Sequence, residues 1–206
     1  MGENIAFRTT GGYLATPEMG AGPALIVIPE RRSAAHHARD LCDRFAAEGF
    51  TALAPEPEEG HTAADLVAAI DTLGPHPAVR GQGVGVIGFD VGAGLALWLG
   101  LHRPDDVMAV VPFYGLPPMD GEQPPDWSRL TAAVQGHFGE EDPTCPPEQI
   151  AALEEALGEA GVSVEIFTYP TAGPGFFDDT RSDAYAEDQA RQAWIRTLEF
   201  LRKHLG

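Results

Sequence analysis

Two kinds of hydrophobic pattern alternate along the chain: short continuous apolar runs, and longer stretches with apolar residues every three or four positions. The runs are typical of parallel strands buried on both faces, and the periodic stretches are typical of amphipathic helices. After a β-hairpin within 5–16, they predict strands at 24–28, 51–54, 84–87, 107–113, 131–134 and 162–169. Helices are predicted at 34–48, 62–73 and 93–101, from Pro146 or Pro147 to Leu157, and at 189–205, with a surface loop at 116–127.

This alternation predicts an α/β fold with a mostly parallel, doubly wound sheet flanked by helices. The 206 residues are enough for one sizeable core, so we predict a single domain over 1–206. Ligands of such sheets bind beyond the carboxyl ends of the strands. Polar positions follow several of the predicted strands, and we expect them to converge on one cleft: Glu30, Asp90, Tyr114, Asp142 and the loop 170–183.

The stretch 83–100, GVGVIGFDVGAGLALWLG, joins a predicted buried strand to an apolar helix through a tight turn. A strand, the pattern Gly-x-nucleophile-x-Gly and a helix, in that order, form the nucleophile elbow of α/β-hydrolases. Gly88 and Gly92 supply the flanking glycines, and the central side chain should project over the end of the sheet. That central residue is Asp90, where a serine or cysteine is the usual nucleophile.

Composition and charge argue against several classes of function. The net charge of −18 and the lack of a basic patch argue against a nucleic-acid or anionic-membrane surface. Cys42 and Cys145 have neither metal-ligand spacing nor the number needed for a disulfide framework. There is no bilayer-length apolar run and no cationic, apolar leader. We therefore expect a cytoplasmic protein with a small-molecule substrate and no cofactor, metal, nucleic acid or membrane, either a monomer or a homodimer.

Several stretches together resemble the dienelactone hydrolase family of α/β-hydrolases over nearly the whole chain. They are 27–30 (VIPE), 39–55 (RDLCDRFAAEGFTALAP), the elbow, 136–147 and 169–205, including YPTAGPGFFDDTR at 169–181. The resemblance implies an α/β-hydrolase fold and a cysteine hydrolase activity. The family's triad consists of a cysteine at the elbow, an aspartate after a later strand and a histidine in the last loop.

The resemblance places the elbow nucleophile at Asp90 and the triad aspartate at Asp142. The family's histidine belongs to the pattern Ala-Gly-His-Gly-Phe, which reads Ala-Gly-Pro-Gly-Phe here and puts Pro174 at the histidine position. Glu30 matches the family's strand-end glutamate. Because Pro174 has no titratable group, ordinary cysteine-triad hydrolysis is excluded unless another residue supplies the base.

Three functions remain open for Asp90. In the first, Asp90 is the principal acid/base of a non-hydrolytic enzyme, a cyclase or isomerase, and the neighbouring carboxylates Glu30 and Asp142 help to hold a shared proton. Such a role would suit specialised metabolism. In the second, Asp90 is the nucleophile of an ester, lactone, epoxide or haloacid hydrolase, as in haloalkane dehalogenases and epoxide hydrolases. That mechanism needs a histidine, for which His36, His37, His61 and His137 are the candidates. In the third, the chain binds a ligand or partner without catalysis.

The predicted substrate contacts surround the elbow and the last loop: Arg31, Phe89, Val91, Tyr114, Pro174, Phe176, Phe177 and Arg181. Simpler structural roles compete with these assignments. Asp90 could merely cap the following helix, Glu30 could pair with an arginine, and Arg181 could pair with Asp178 or Asp179. His36, His37 and Asp40 are interpreted as a solvated helix face rather than as metal ligands. His137 is interpreted as structural, and Cys145 as a less favoured alternative nucleophile.

Overall fold

The structure, a computed structural model, describes residues 2–7, 10–30, 35–56, 62–117 and 125–206. Its strands are β1 (Glu3–Phe7), β2 (Thr10–Ala15), β3 (Gly22–Ile28), β4 (Thr51–Pro55), β5 (Val79–Phe89), β6 (Val107–Phe113), β7 (Ala133–Gly139) and β8 (Val164–Tyr169). They form one sheet in the order β1-β2-β4-β3-β5-β6-β7-β8. The pairs β1–β2 and β2–β4 are antiparallel, and every other pair is parallel.

Among the described residues, five α-helices cover the two faces of this sheet: α1 (Ala35–Ala47), α2 (Ala63–Leu73), α3 (Val91–His102), α4 (Pro147–Glu159) and α5 (Glu187–Leu205). One apolar cluster joins the sheet to α1 and α5, and a second joins it to α2, α3 and α4. Side chains of β3 alternate between them: Leu25 and Val27 belong to the first cluster, whereas Ile26 belongs to the second. Burial on both faces explains the continuous apolar runs of the central strands.

The helix ends follow local sequence signals. Thr62 caps α2 and accepts a hydrogen bond from the backbone of Asp65, whose side chain accepts one from the Thr62 backbone in return. Pro147 occupies the first turn of α4, where a missing N–H group is tolerated. Helix α3 is hydrophobic on most of its surface because it packs between the sheet and other elements. No helix in the described part of the chain combines the length and apolarity needed to span a membrane.

The predicted fold class is confirmed, and most predicted elements differ from the observed ones by a few residues at their ends. The main correction concerns β7. The sequence pattern predicts it at 131–134, but it begins at Ala133 and continues to Gly139. A second correction is the short 3₁₀ helix Trp127–Arg129 in the predicted surface loop, where Trp127 is buried.

A buried polar network explains why His137 lies within a strand. Its Nε2 lies 3.1 Å from the amide oxygen of Gln135, which only accepts hydrogen bonds, so Nε2 carries the proton. Nδ1 accepts from the hydroxyl of Tyr169 at 2.8 Å, and Arg196 donates to the same hydroxyl oxygen at 3.1 Å. Burial, with a smaller contribution from the positive charge of Arg196, lowers the pKa of His137 to about 3. His137 is therefore a neutral part of the core.

This pKa predicts how stability depends on pH. The unfolded chain binds a proton at His137 near pH 6.5 and the folded chain only near pH 3, so stability falls as the pH decreases between these values. Urea unfolding should show a loss about 1.4 kcal/mol per pH unit steeper in the wild type than in His137→Gln, between about pH 6 and pH 4. Other titrating groups affect both proteins alike. Parallel pH curves for the two proteins would contradict the assignment.

Candidate functional site

The elbow holds Asp90 in a strained backbone conformation at the end of the central strand β5. Its φ is 52° and its ψ is −118°, values that residues other than glycine rarely adopt. A Cβ atom on Gly88 would clash with the carbonyl oxygen of Gly92, and one on Gly115 would clash with that of Asp90. Hydrogen bonds from Asp90 N to Phe113 O, 3.0 Å, and from Ala93 N to Asp90 O, 2.9 Å, fix the turn. The sequence thus folds into the predicted elbow.

The carboxylate of Asp90 projects from this turn and is exposed. Asp90 occupies the N-cap position of α3, yet its side chain makes no capping hydrogen bond to that helix, all of whose residues are described. The simple interpretation of Asp90 as a helix cap is therefore wrong. The partial positive charge at the N-terminus of α3 still favours an anionic side chain there.

Asp142 lies beyond the end of β7 and is buried, with 3% of its surface exposed. Its Oδ1 accepts hydrogen bonds from the backbone N–H of Thr144, 2.8 Å, and from its hydroxyl, 2.6 Å. Its Oδ2 is buried without a hydrogen-bond partner among the described residues. A buried carboxylate oxygen without a donor is costly, so Asp142 offers an acceptor for a group that enters the site.

The last loop packs directly against the turn that carries Asp142. Glu141 N donates to Ala172 O at 2.9 Å, and a Cβ atom on Gly139 would clash with that same carbonyl oxygen. Pro174, two residues further along, is exposed and offers no donor to a carboxylate. The site therefore contains a buried carboxylate acceptor beside the loop that carries Pro174.

The charges of both Asp142 and Asp90 act on the thiol of Cys145. Cys145 is 2% exposed, and burial raises the pKa of its thiol to about 12, with further contributions from the negative charges of Asp142 and Asp90. Both carboxylates therefore lie near this sulfur. Because the thiolate is the nucleophilic form, the raised pKa disfavours Cys145 as a nucleophile.

Tyr114 marks the other side of the cleft. It follows β6 with a φ of 35°, and its phenol is buried. Burial raises the pKa of Tyr114 well above its ordinary value, and the charges of Glu30, Asp178 and Asp90 raise it further, whereas Arg181 lowers it. The phenol thus lies among three carboxylates and one guanidinium group. Glu30, Asp90 and Tyr114 all follow strand ends, and the charges of the two carboxylates both act on the Tyr114 phenol.

Arg181 pairs with Glu30, with 3.8 Å between Nη1 and Oε2. The predicted alternative, a pair between Arg181 and Asp178 or Asp179, is not the arrangement found, because His37 faces Asp178 and Arg44 faces Asp179. Glu30 therefore has the structural partner that the sequence analysis considered for it. An anionic substrate group would compete with Glu30 for the guanidinium.

The remaining predicted contact residues differ in their accessibility. The rings of Phe89, Phe176 and Phe177 are buried, at 3%, 0% and 3% exposed, and pack together with Phe113 and Tyr114. They form an aromatic floor under the elbow, because the aromatic cluster takes up their surface. Val91 is 61% exposed beside Asp90. Arg31 lies outside the described residues.

The histidines proposed as replacement bases lie in different environments. His61 lies outside the described residues, His36 is exposed on α1, and His137 belongs to the neutral network behind β7. His37 is buried on α1, with its Nδ1 3.3 Å from Asp178 Oδ1, and burial is the main cause that lowers its pKa. The interpretation of His37 as part of a solvated face is wrong. Its spacing of four residues from Leu41 and eight from Phe45 could have placed it on the buried stripe.

Comparisons with known proteins agree with this geometry. The model of the Dienelactone hydrolase family matches residues 10–57 and 56–205. Protein usf of Aquifex pyrophilus is 30% identical, with 100% of both chains covered. A Synechocystis protein named as a carboxymethylenebutenolidase is 32% identical over 94% of this chain and 92% of its own. The crystal structure of a dienelactone hydrolase from Klebsiella pneumoniae matches with a TM-score of 0.82 and 25% identity, covering 98% of each chain.

The close backbone approaches at the elbow predict a sharp difference between two glycine-to-alanine substitutions. Gly88→Ala should destabilise the protein by about 2 kcal/mol or more, because its Cβ would meet the rigid backbone of α3. Gly158→Ala in α4 should stabilise it by roughly 0.5–1 kcal/mol, because that position is helical and open. Urea unfolding measures both. Equal stability of Gly88→Ala and the wild type would show that the elbow is not packed as described.

Proposed function

Because the chain belongs to the dienelactone hydrolase family, we propose that it acts on a small organic molecule at the family's elbow, by non-hydrolytic acid/base chemistry of the cyclase or isomerase type. Asp90 is its principal acid/base. The observation that carries this proposal is an exposed carboxylate held on a strained turn at the end of the central strand. Strain and a projecting charge persist where the surroundings enforce them, and they concentrate at functional sites.

The chemistry needs only a proton carrier that the substrate can reach. Asp90, as the carboxylate, removes a proton from a carbon or hydroxyl group of the substrate. The electron pair released forms a new double bond or attacks an electrophilic carbon of the same molecule, and the protonated Asp90 returns the proton at the second position. Substrate and product are then isomers, and neither water nor a redox partner is consumed.

Two features of the elbow support this cycle. Backbone N–H groups at the start of α3 can polarise a substrate carbonyl, which stabilises the negative charge that develops on its oxygen. The unpartnered Oδ2 of Asp142 can accept a hydrogen bond from a substrate hydroxyl or ammonium group. The substrate best suited to the cleft therefore carries a carbonyl group and a hydrogen-bond donor.

The aromatic floor and the charged side of the cleft orient such a substrate. Phe89 and Phe177 form a stacked pair beneath the elbow, with ring centroids 5.8 Å apart. The Glu30–Arg181 pair offers a guanidinium group at the opposite side, which suits a substrate carboxylate that displaces part of that contact. Tyr114 stays protonated beside them and can donate a hydrogen bond.

A second function is favoured by the relatives. Several carry hydrolase names, among them the carboxymethylenebutenolidases and a lactonase of Bradyrhizobium that is 30% identical over 94% of this chain. A hydrolase built on this site would use Asp90 as the nucleophile and form a covalent intermediate, an ester with an epoxide or haloacid and a mixed anhydride with an ester or lactone. Hydrolysis of that intermediate needs an activated water molecule, and Pro174 cannot supply the base. This requirement makes the acid/base function the better supported of the two.

Isotope labelling separates the two functions. Wild type, Asp90→Asn and the control Asp188→Asn, which changes an exposed carboxylate on α5, are incubated in ¹⁸O-water with hydroxy-enones, lactones, esters, epoxides and haloacids. We expect a product of unchanged mass, no label in the Asp90 peptide, and a loss of about 10²-fold or more in kcat only for Asp90→Asn. Hydrolysis products of any of these substrates, together with ¹⁸O in Asp90, would instead establish nucleophilic hydrolysis.

A further inference from the structure

A second group of polar side chains lies below the cleft, between the first turn of α1 and the last loop. Single ligand atoms of His37, Asp178 and Asp179 lie within 4.8 Å of one another. His37 is 4% exposed and Asp178 is 5% exposed, whereas Asp179 lies at the surface. Two carboxylates and an imidazole of this kind are brought together from distant parts of the chain.

The imidazole of His37 lacks the hydrogen bonds that a buried histidine ordinarily makes. Neither of its ring nitrogens has a hydrogen-bond partner in the described part of the chain. Its Nδ1 lies 3.3 Å from Asp178 Oδ1, near enough for attraction but outside good hydrogen-bond geometry. Unpaired buried polar atoms of this kind are rare in folded proteins and point to a missing group.

We propose that His37, Asp178 and Asp179 form a binding site for a divalent transition-metal cation. Two ligands that each lie about 2.0–2.2 Å from a tetrahedral ion are separated by about 3.4 Å, close to the observed 3.3 Å between Nδ1 and Oδ1. A mixed set of one imidazole and two carboxylates suits Zn²⁺, Co²⁺ or Mn²⁺, and water completes the coordination.

Neighbouring residues hold two of the ligands in place. Asp178 Oδ1, the atom that lies 3.3 Å from His37 Nδ1, accepts hydrogen bonds from the backbone N–H of Thr180, 3.0 Å, and from the Thr180 hydroxyl, 2.6 Å. The His37 ring packs edge-on against Phe89 and Phe177, with centroid distances of 5.8 and 6.5 Å. Fixed orientation of the ligands by second contacts is what strong metal sites require.

Arg44 is the competing cation at this site. Its Nη1 lies 3.6 Å from Asp179 Oδ2, and its guanidinium also packs over the ring of Trp194. A bound ion shares Asp179 with Arg44, so Asp179 is the weakest of the three ligands. A cation here fastens α1 to the last loop directly beneath Phe89, and its binding does not depend on the chemistry proposed for Asp90.

The site can be tested with Co²⁺ and Zn²⁺ on the full chain, free of any histidine tag and treated with a chelator. Visible absorption of Co²⁺ reports imidazole and carboxylate ligation, and calorimetry with Zn²⁺ gives the stoichiometry and Kd. The variants are His37→Gln and Asp179→Asn, the second at an exposed position where folding is not at risk. The controls are His102→Gln and Asp188→Asn, an exposed histidine and an exposed carboxylate elsewhere.

We expect one equivalent of metal, an increase in Tm of the wild type with metal concentration, and a Kd raised about tenfold or more in both site variants. The controls should bind like the wild type. If His37→Gln fails to fold, Asp179→Asn decides the question. The proposal is overturned if the wild type binds no Zn²⁺ below about 1 mM, or if binding survives in Asp179→Asn unchanged.

Discussion

The close approach of three backbone segments at the elbow is the constraint on which the rest of the site depends. The end of β5, the start of α3 and the segment after β6 touch so closely that Gly88 and Gly115 have no room for a side chain. Because β5 lies in the middle of the sheet, the close packing of these three segments places Asp90 at the carboxyl ends of the central strands. The cleft, its aromatic floor and its charged rim are arranged around that one projecting carboxylate.

The elements of the fold could be predicted because local signals and burial agree. Continuous apolar strands, helical spacing and proline or threonine at helix starts each reflect a short-range preference. The prediction failed at β7, where Gly136 and His137 resemble a loop sequence. His137 is acceptable in a buried strand only because Gln135 and Tyr169 satisfy both of its ring nitrogens. Tyr169 lies on β8, so its contact with His137 cannot be inferred from the sequence around β7.

The candidate site was predictable to a similar extent. The strand-end rule indicated that Glu30, Asp90 and Tyr114 would meet, and the matched loop drew attention to Pro174. The buried Oδ2 of Asp142, which has no hydrogen-bond partner among the described residues, and the approach of His37 to Asp178 depend on tertiary packing, which no motif encodes. The aromatic residues of the last loop also occupy the core more deeply than their position in a loop suggested, since Phe176 is fully buried.

We propose that residues 90 and 174 are the two changes that separate this site from cysteine-triad hydrolysis, and that Asp142 keeps the role of the triad aspartate. The most direct measurement is rapid-mixing kinetics of p-nitrophenyl acetate with the double variant Asp90→Cys, Pro174→His, with each single variant as a control. The account predicts a burst of p-nitrophenol, followed by steady turnover, in the double variant alone, because Asp142 Oδ2 then has an imidazole to orient. A double variant as inert as the single ones would contradict the placement of Asp142 opposite residue 174.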